Sequence, residues 1–329
     1  MRNLTINRLF GLSASLSVLL MATSALAQTS HYPTKPIKII VPFTAGGVVD
    51  TITRIIGGKL ATEYGQSVIV ENRPGAGGSI GTEYVARSKP DGYTLLSVSP
   101  GHAVAPSIIK HVAWSPVKDF RAVEEFGIVP NVFVVKPDLP VKNMPELIAM
   151  ARASSKPLTY ATAGIGTSNH LSGLLLAQMA HVKLEQVPYR GQPNALNDVL
   201  AGRVTTMPLT IALAGPYIKA GKLRGLAVTT ATRATEFPNI PTVAESANLP
   251  GYAVGTWFGF VAPKKVPDAI VQKLSADIVK ILAMPDVKKQ LAGIGMEMAP
   301  ENPQQFDVFI ASEYSKWGRI LKQAGVTPQ

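Results

Sequence analysis

The chain has no cysteine among its 329 residues. This absence excludes disulfide bonds, thiolate metal sites and the lipid-modified cysteine of a lipoprotein. The five histidines form neither an H-x-H nor an H-E-x-x-H pair, so the sequence predicts no zinc site. Neither G-x-x-x-x-G-K-[ST] nor G-x-G-x-x-G occurs, so nucleotide binding has no support and no cofactor is expected.

Long apolar runs are missing after residue 26, so no later stretch is predicted to span a membrane. The N-terminus is different, because Arg2 and Arg8 precede an uncharged apolar run over 9–26 that ends in a small-x-small pattern. This order predicts a secretory signal peptide, residues 1–27, cleaved after Ala27, and a periplasmic mature protein. An N-terminal membrane anchor is the alternative, which Gly11 and several hydroxyl residues in the run disfavour.

Acidic residues are scarce, with 21 Asp and Glu against 32 Lys and Arg and a formal net charge of +11. The cations are scattered and do not alternate with aromatics in a basic run, so nucleic-acid binding is not predicted. Two interpretations stay open: attraction of small anions, or simply a solvated basic surface.

Strand and helix patterns alternate almost throughout, which predicts an α/β fold with mostly parallel strands. The alternation of strands and helices begins again after residues 129–135, and the chain ends in helices without strands between them. We therefore expect one domain from residues 28–130 and 257–329, and a second from residues 131–256. Two crossings between domains, near 129–135 and 255–261, would form a hinge suited to closure on a ligand.

Two glycine-containing loops each join a strand to a helix start. The first is Pro42–Asp50, with Gly46-Gly47, and the second is Ala163–His170, with Gly164 and Gly166. Backbone N–H groups at a helix start favour a carboxylate, phosphate or sulfate. A tight turn that merely needs glycine, or a hydroxyl residue that merely caps a helix, is the structural alternative for each loop.

Residues 77–81 match G-x-S-x-G, the nucleophile pattern of serine hydrolases. That pattern requires its serine on a sharp turn directly after a strand. Here residues 72–78 separate Ser79 from the preceding strand, so we expect Ser79 to cap a helix. A secreted serine hydrolase using Ser79 is kept as an alternative function.

The ordered set of motifs resembles the Bug/TctC family, the periplasmic receptors of tripartite tricarboxylate transporters. The resemblance covers essentially the whole mature chain. The matching segments are Tyr32-Pro33, Lys35–Ile37, Val41–Phe43, Ala45–Gly47, Asp50, Glu71–Gly78, Ile80-Gly81, Pro90–Leu95, Gly164–Leu171, Val187–Tyr189, Gly191, Trp257–Gly259 and Ala262-Pro263.

This resemblance implies a two-domain periplasmic-binding-protein fold of type II, a Venus flytrap with two crossovers, and no catalysis. It implies a monomer that holds a ligand carboxylate between the two loops, largely through backbone groups and ordered waters. Di- or tricarboxylates, aromatic carboxylates and amino acids are the expected ligands, and transporter subunits or a sensor the possible partners. The implied site residues are Phe43, Ala45, Gly46, Gly47, Asp50, Gly164, Gly166, Thr167, Ser168 and His170, with Ser99 and Asp198 as further candidates.

Some features leave alternatives open within this interpretation. Asp50 is acidic, so it would bind a ligand amine or hydroxyl, or cap backbone groups. For His170, a purely structural, hydrogen-bonded role is the favoured alternative. Val48-Val49 depart from the family pattern: they either narrow the pocket for a hydrophobic ligand body or point into the helix interface. An interaction or sensory module without a transport role is the remaining functional alternative.

Overall fold

The computed structural model describes residues 32–328, so the predicted signal peptide lies outside the described residues. The strands are β1 (Ile37–Val41), β2 (Val68–Asn72), β3 (Thr94–Val98), β4 (Phe120–Val135), β5 (Leu158–Thr162), β6 (Leu184–Pro188), β7 (Thr206–Thr210), β8 (Arg224–Val228), β9 (Gly255–Pro263) and β10 (Glu297–Met298). The helices are α1 (Val48–Tyr64), α2 (Ser79–Ala86), α3 (Pro100–Ile108), α4 (Met144–Ala153), α5 (Ser168–Ala180), α6 (Gln192–Leu200), α7 (Ile211–Lys219), α8 (Val243–Ala247), α9 (Asp268–Ala283), α10 (Pro285–Gly293) and α11 (Pro303–Gln323).

One strand, β4, belongs to both domains. The sheet order is β2-β1-β3-β9-β4-β7-β5-β6, with β8 and β10 also paired to β4. Residues 120–130 of β4 pair with β9 in the first domain, and residues 131–135 pair with β7 and β8 in the second. Strand β9 starts opposite Pro130 and leads back into the first domain. These are the two crossings that the sequence predicts.

The strand directions decide which loops face the boundary between the domains. Strand β1 is parallel to β3, β3 is antiparallel to β9, and β9 is antiparallel to β4. Strands β1 and β3 therefore run in the direction of β4, toward the second domain. Strand β7 is antiparallel to β4 and parallel to β5, so β5 and β7 run back toward the first domain. The carboxyl ends of both sets, where α/β proteins bind ligands, meet at the boundary.

The last helix contacts both domains. Phe306 and Ile310 of α11 pack into the core of the first domain, beside Trp257. About two and three turns after Ile310, Trp317 and Leu321 pack with the core residues of the second domain. Helix α11 is amphipathic and long enough to bridge the two cores, whereas the sequence pattern alone assigns it to the first domain. The exact domain boundaries stay a prediction.

Local signals set most helix limits, with one exception. Asn143 accepts a hydrogen bond from the Glu146 N–H at 2.9 Å, so α4 begins where the capping pattern predicts. Pro216 lies inside α7 and not in its first turn, because that helix starts directly at the end of β7. No helix within residues 32–328 combines the length and apolarity needed to cross a bilayer.

Candidate functional site

The first loop joins β1 to α1 and presents its backbone to solvent. Residues 44–48 are exposed, and Gly46 has a φ of +81°, a left-handed conformation that favours glycine. Gly47 occupies the position before α1, and no side chain caps this helix. The N–H groups of its first turn therefore keep their hydrogen-bonding capacity for another acceptor.

Asp50 is turned into its own loop. Its carboxylate accepts hydrogen bonds from the Gly46 N–H and Asn72 Nδ2, both at 2.9 Å, and from Arg54 Nε at 3.0 Å. Asn72 Nδ2 also donates to the Phe43 carbonyl at 3.1 Å. Burial acts to raise the pKa of Asp50, but the bonds from Arg54, Gly46 and Asn72 outweigh it, so that pKa lies below its usual value. This cluster of Asp50, Arg54 and Asn72, the loop clamp, fixes the shape of the first loop.

The second loop joins β5 to α5 and is held by its own side chains. Thr167 Oγ1 donates to the Gly164 carbonyl at 2.7 Å and accepts from the His170 N–H, capping α5. His170 Nδ1 accepts from the Gly166 N–H at 3.2 Å. Burial lowers the pKa of His170 to about 4, so the imidazole is neutral near pH 7. His170 therefore shapes the loop and supplies no positive charge there.

Ser168 connects the second loop to the crossing strand. Thr256, the second residue of β9, donates a hydrogen bond to Ser168 Oγ at 2.6 Å. Because the Thr167 cap serves the third N–H of α5, the N–H groups of Ser168 and Asn169 lie at the open end of the helix. A Cβ added to Gly166 would clash with Ile108 Cδ1 on α3, so the second loop already lies against the first domain.

The two further candidates, Ser99 and Asp198, lie in different surroundings. Ser99, directly before α3, lines a cavity of about 10 Å³ together with Phe43 and is thus next to the first loop. Asp198 lies at the seventh position of α6, about 9 Å along the helix from its start. Its carboxylate accepts from Tyr189 Oη at 2.6 Å and from Arg203, which hold its pKa below the usual range.

The structure corrects the role expected for Ser79. Gly78 stands at the cap position, and Ser79 has helical φ and ψ of −62° and −33°, so it is the first residue of α2 and not its cap. Its hydroxyl is buried without a hydrogen-bond partner within residues 32–328. No histidine or carboxylate is bonded to it there, so the arrangement lacks the base that a serine nucleophile needs.

A groove of about 790 Å³ lies on the first domain, away from the two loops. Its cations are mostly neutralised by ion pairs. These are Lys35 with Asp91, Lys38 and Arg73 with Glu71, and Arg87 with Glu83. Such a surface is well solvated and, unlike the loops, offers no set of unpaired donors. Within residues 32–328, no group of three or more His, Asp or Glu is arranged to hold a metal ion.

Sequence reasoning missed three contributors to the loops. Arg54 and Asn72 complete the clamp around Asp50, and Thr256 reaches Ser168 from a segment 88 residues away. The i, i+4 spacing of Asp50 and Arg54 is typical of an ion pair on one helix face, so the sequence carried a signal for this contact. The contacts of Asn72 and Thr256 depend on strand pairing and carry no local signal.

The chain matches a protein-family model over most of its length. Residues 52–326 match the model described as TctC, tripartite tricarboxylate transporter family receptor. A protein of Pseudomonas sp. (strain P51), described as the UPF0065 protein in the tcbD-tcbE intergenic region, is 38% identical over 309 residues. The alignment covers 94% of this chain and 92% of that protein.

Two solved structures share the fold over nearly the whole chain. Rpa4515 of R. palustris with adipate has a TM-score of 0.78 and 35% identity, covering 91% of this chain and 100% of that chain. MatC (Rpa3494) from Rhodopseudomonas palustris with bound malate has a TM-score of 0.74 and 31% identity, covering 88% and 100%. These likenesses confirm the predicted two-domain α/β fold.

Proposed function

Because this chain belongs to the TctC family of tripartite tricarboxylate transporter receptors, we propose that it captures a small carboxylate-bearing ligand between its two domains. The family consists of periplasmic solute-binding receptors. In this proposal the signal peptide is removed after Ala27, and the mature chain works as a monomer without catalysis. The loaded receptor then delivers its ligand to a membrane transporter of the tripartite tricarboxylate type.

The observation that carries this proposal is the pairing of two open helix ends across the domain boundary. Helix α1 has no side-chain cap, and α5 keeps the N–H groups of its first two residues beyond the reach of its Thr167 cap. The partial positive charge at each helix start attracts an anion. Because β1 and β5 run toward each other's domains, both helix starts lie on the side of the boundary, which supports a ligand held between them.

The proposed contacts divide into groups that touch the ligand and groups that support them. Backbone atoms of residues 43–48 on one side, and of residues 164–168 on the other, bind the ligand. Asp50 and His170 support the backbone of the two loops. The Asp50 carboxylate and His170 Nδ1 do not bind the ligand in this proposal, because they already accept hydrogen bonds from the protein. Ser99 supports the first loop from α3, and Asp198 acts only at the edge of the site.

The ligand class follows from the relatives that carry this fold. One neighbour was solved with adipate and another with malate, and both are dicarboxylates. Backbone donors recognise the carboxylate itself and leave the remainder of the ligand to the side chains around it. We therefore expect a di- or tricarboxylate, or an aromatic carboxylate, in preference to an uncharged solute.

A thermal-shift and calorimetry screen of the mature protein, residues 28–329, tests the proposal. A ligand at 100 times its Kd adds about 2.7 kcal/mol to the free energy of unfolding, so carboxylates that bind raise the Tm. Stabilisation by neutral analogues alone, or by no carboxylate in a broad panel, would contradict the proposal.

A glycine variant links the binding to the first loop. Gly46→Ala places a side chain at φ +81°, where nothing lies within 4 Å of the new Cβ, so backbone strain is its main effect. Gly251→Ala is the matched control, because Gly251 has φ +83° and equally open surroundings. Both variants should lose similar stability, about 1 kcal/mol, whereas only Gly46→Ala should weaken carboxylate binding.

A further inference from the structure

Aliphatic side chains project from both loops of the proposed site. Val48, the first residue of α1, is 38% exposed, and Ile165, in the middle of the second loop, is 46% exposed. Only seven large apolar side chains are exposed within residues 32–328, and these two belong to the loops at the carboxyl ends of β1 and β5. Both strands run toward the domain boundary, where an exposed apolar surface would be covered when a ligand binds.

The two neighbouring valines of the first loop have different surroundings. Val49 is partly buried and packs against the core of the first domain, beside Ile52 and Ile56. Val48 does not take part in that core and is exposed together with the preceding glycines. Of the pair, Val48 alone is therefore available to a ligand.

The polar side chains of the loops are engaged within the protein. The Asp50 carboxylate is held by three donors, and the Thr167 hydroxyl both donates and accepts. His170 Nδ1 and Ser168 Oγ also have partners. Besides the Thr44 hydroxyl, His170 Nε2 and the half-buried Phe43 ring, the large side chains left to meet the body of a ligand are the exposed Val48 and Ile165.

We infer that this receptor selects carboxylates with an unsubstituted hydrocarbon body over hydroxy and amino acids of the same skeleton. The inference rests on the proposed function and names the ligand class of the same site. A hydrocarbon body gains by burial against Val48 and Ile165 when the domains close. A hydroxyl or ammonium group placed against Val48 and Ile165 loses water and gains no hydrogen bond from them, and the Asp50 carboxylate of the first loop is already paired with Arg54.

Matched ligand pairs that differ by one polar group test this inference by calorimetry. The pairs are succinate and malate, glutarate and glutamate, tricarballylate and citrate, and phenylacetate and mandelate. Within each pair that binds, we expect the unsubstituted member to bind at least ~10-fold more tightly, the size of effect expected for one unpaired polar group. Equal or tighter binding of the hydroxy or amino member overturns the inference and leaves the proposed function intact. Binding of neither member in any pair overturns both.

Two pairs of variants locate the effect on the loops. Val48→Thr and Ile165→Thr place a hydroxyl beside the ligand body. Each should bring the ratio of the two Kd values within a ligand pair closer to 1. Val308→Thr and Ile69→Thr are the matched controls, since Val308 on α11 and Ile69 on β2 are 70% and 48% exposed and lie outside the loops. All four variants should keep the wild-type Tm because the side chains are exposed. An unchanged preference in both loop variants would overturn the inference.

Discussion

Asp50 should stabilise the protein and pre-shape the first loop without touching the ligand. Replacing it with alanine removes the acceptor for the Gly46 N–H, Asn72 Nδ2 and the Arg54 guanidinium. Each hydrogen bond to a charged group contributes about 1.5–3 kcal/mol when buried. The Arg54 side chain is 49% exposed, so solvent screening reduces its share. We expect Asp50→Ala to lower the free energy of unfolding by about 2–3 kcal/mol.

For a chain of this size, that loss corresponds to a Tm lower by roughly 3–5 °C in a calorimetric scan. Because the loop loses its fixed shape, all carboxylates should bind more weakly by a similar factor. Asn72→Ala should change stability and affinity in the same direction. The double variant Asp50→Ala/Arg54→Ala should be less destabilised than the sum of the single variants, since the two residues share one interaction.

The pH dependence of the clamp follows from the direction of the Asp50 pKa. The pKa in the folded protein lies below the ordinary value of 3.8. The contribution of the ionised Asp50 to stability is therefore complete above pH 3.8. It is lost only as the pH falls below 3.8 through the pKa of Asp50 in the folded protein. An unchanged Tm of Asp50→Ala would refute the clamp. Tighter carboxylate binding by Asp50→Asn, or a selective loss of amine-bearing ligands, would show that Asp50 contacts the ligand directly.

Two further predictions concern buried groups away from the loops. Glu124 is 1% exposed, and burial raises its pKa to about 7 against an opposing hydrogen bond from Ser275. The contribution of the protonated Glu124 to stability is complete below pH 4.5 and falls as the pH rises to about 7. Glu124→Gln should therefore flatten this part of a Tm-against-pH curve. An unchanged slope would contradict the raised pKa of Glu124. Ser79→Ala should leave ligand binding unchanged and keep or raise the Tm, because the Ser79 hydroxyl is buried and unpaired. Ester hydrolysis by the wild type that Ser79→Ala abolishes would instead support the hydrolase alternative.

Much of the architecture was predictable because its signals are local. The strand after Pro36, the glycines at 46–47 and the cap at Asn143 are short patterns whose spacing matches one type of element. The ordered motifs predicted the TctC family, which the family model over residues 52–326 confirms. Ser79 was misassigned as a cap because the three-residue 3₁₀ turn at Ala76–Gly78 shifts the start of α2 by one position.

The roles of individual side chains in the two loops depended on contacts between distant segments. Asp50 had two open interpretations until Asn72, 22 residues later, was seen to approach it through the pairing of β1 with β2. Val48 and Val49 are equivalent by residue type, and their packing alone distinguishes an exposed side chain from a core one.

The sequence by itself determined the family, the alternation of strands and helices, and the position of both glycine loops, because these follow from local spacing and backbone preference. Only the tertiary structure decided that both loops open toward the domain boundary, since this depends on the opposite directions of β1 and β5 on either side of β4. It also decided which side chains remain free there. Asp50, Thr167 and His170 Nδ1 have partners within the fold, whereas Val48 and Ile165 stay exposed.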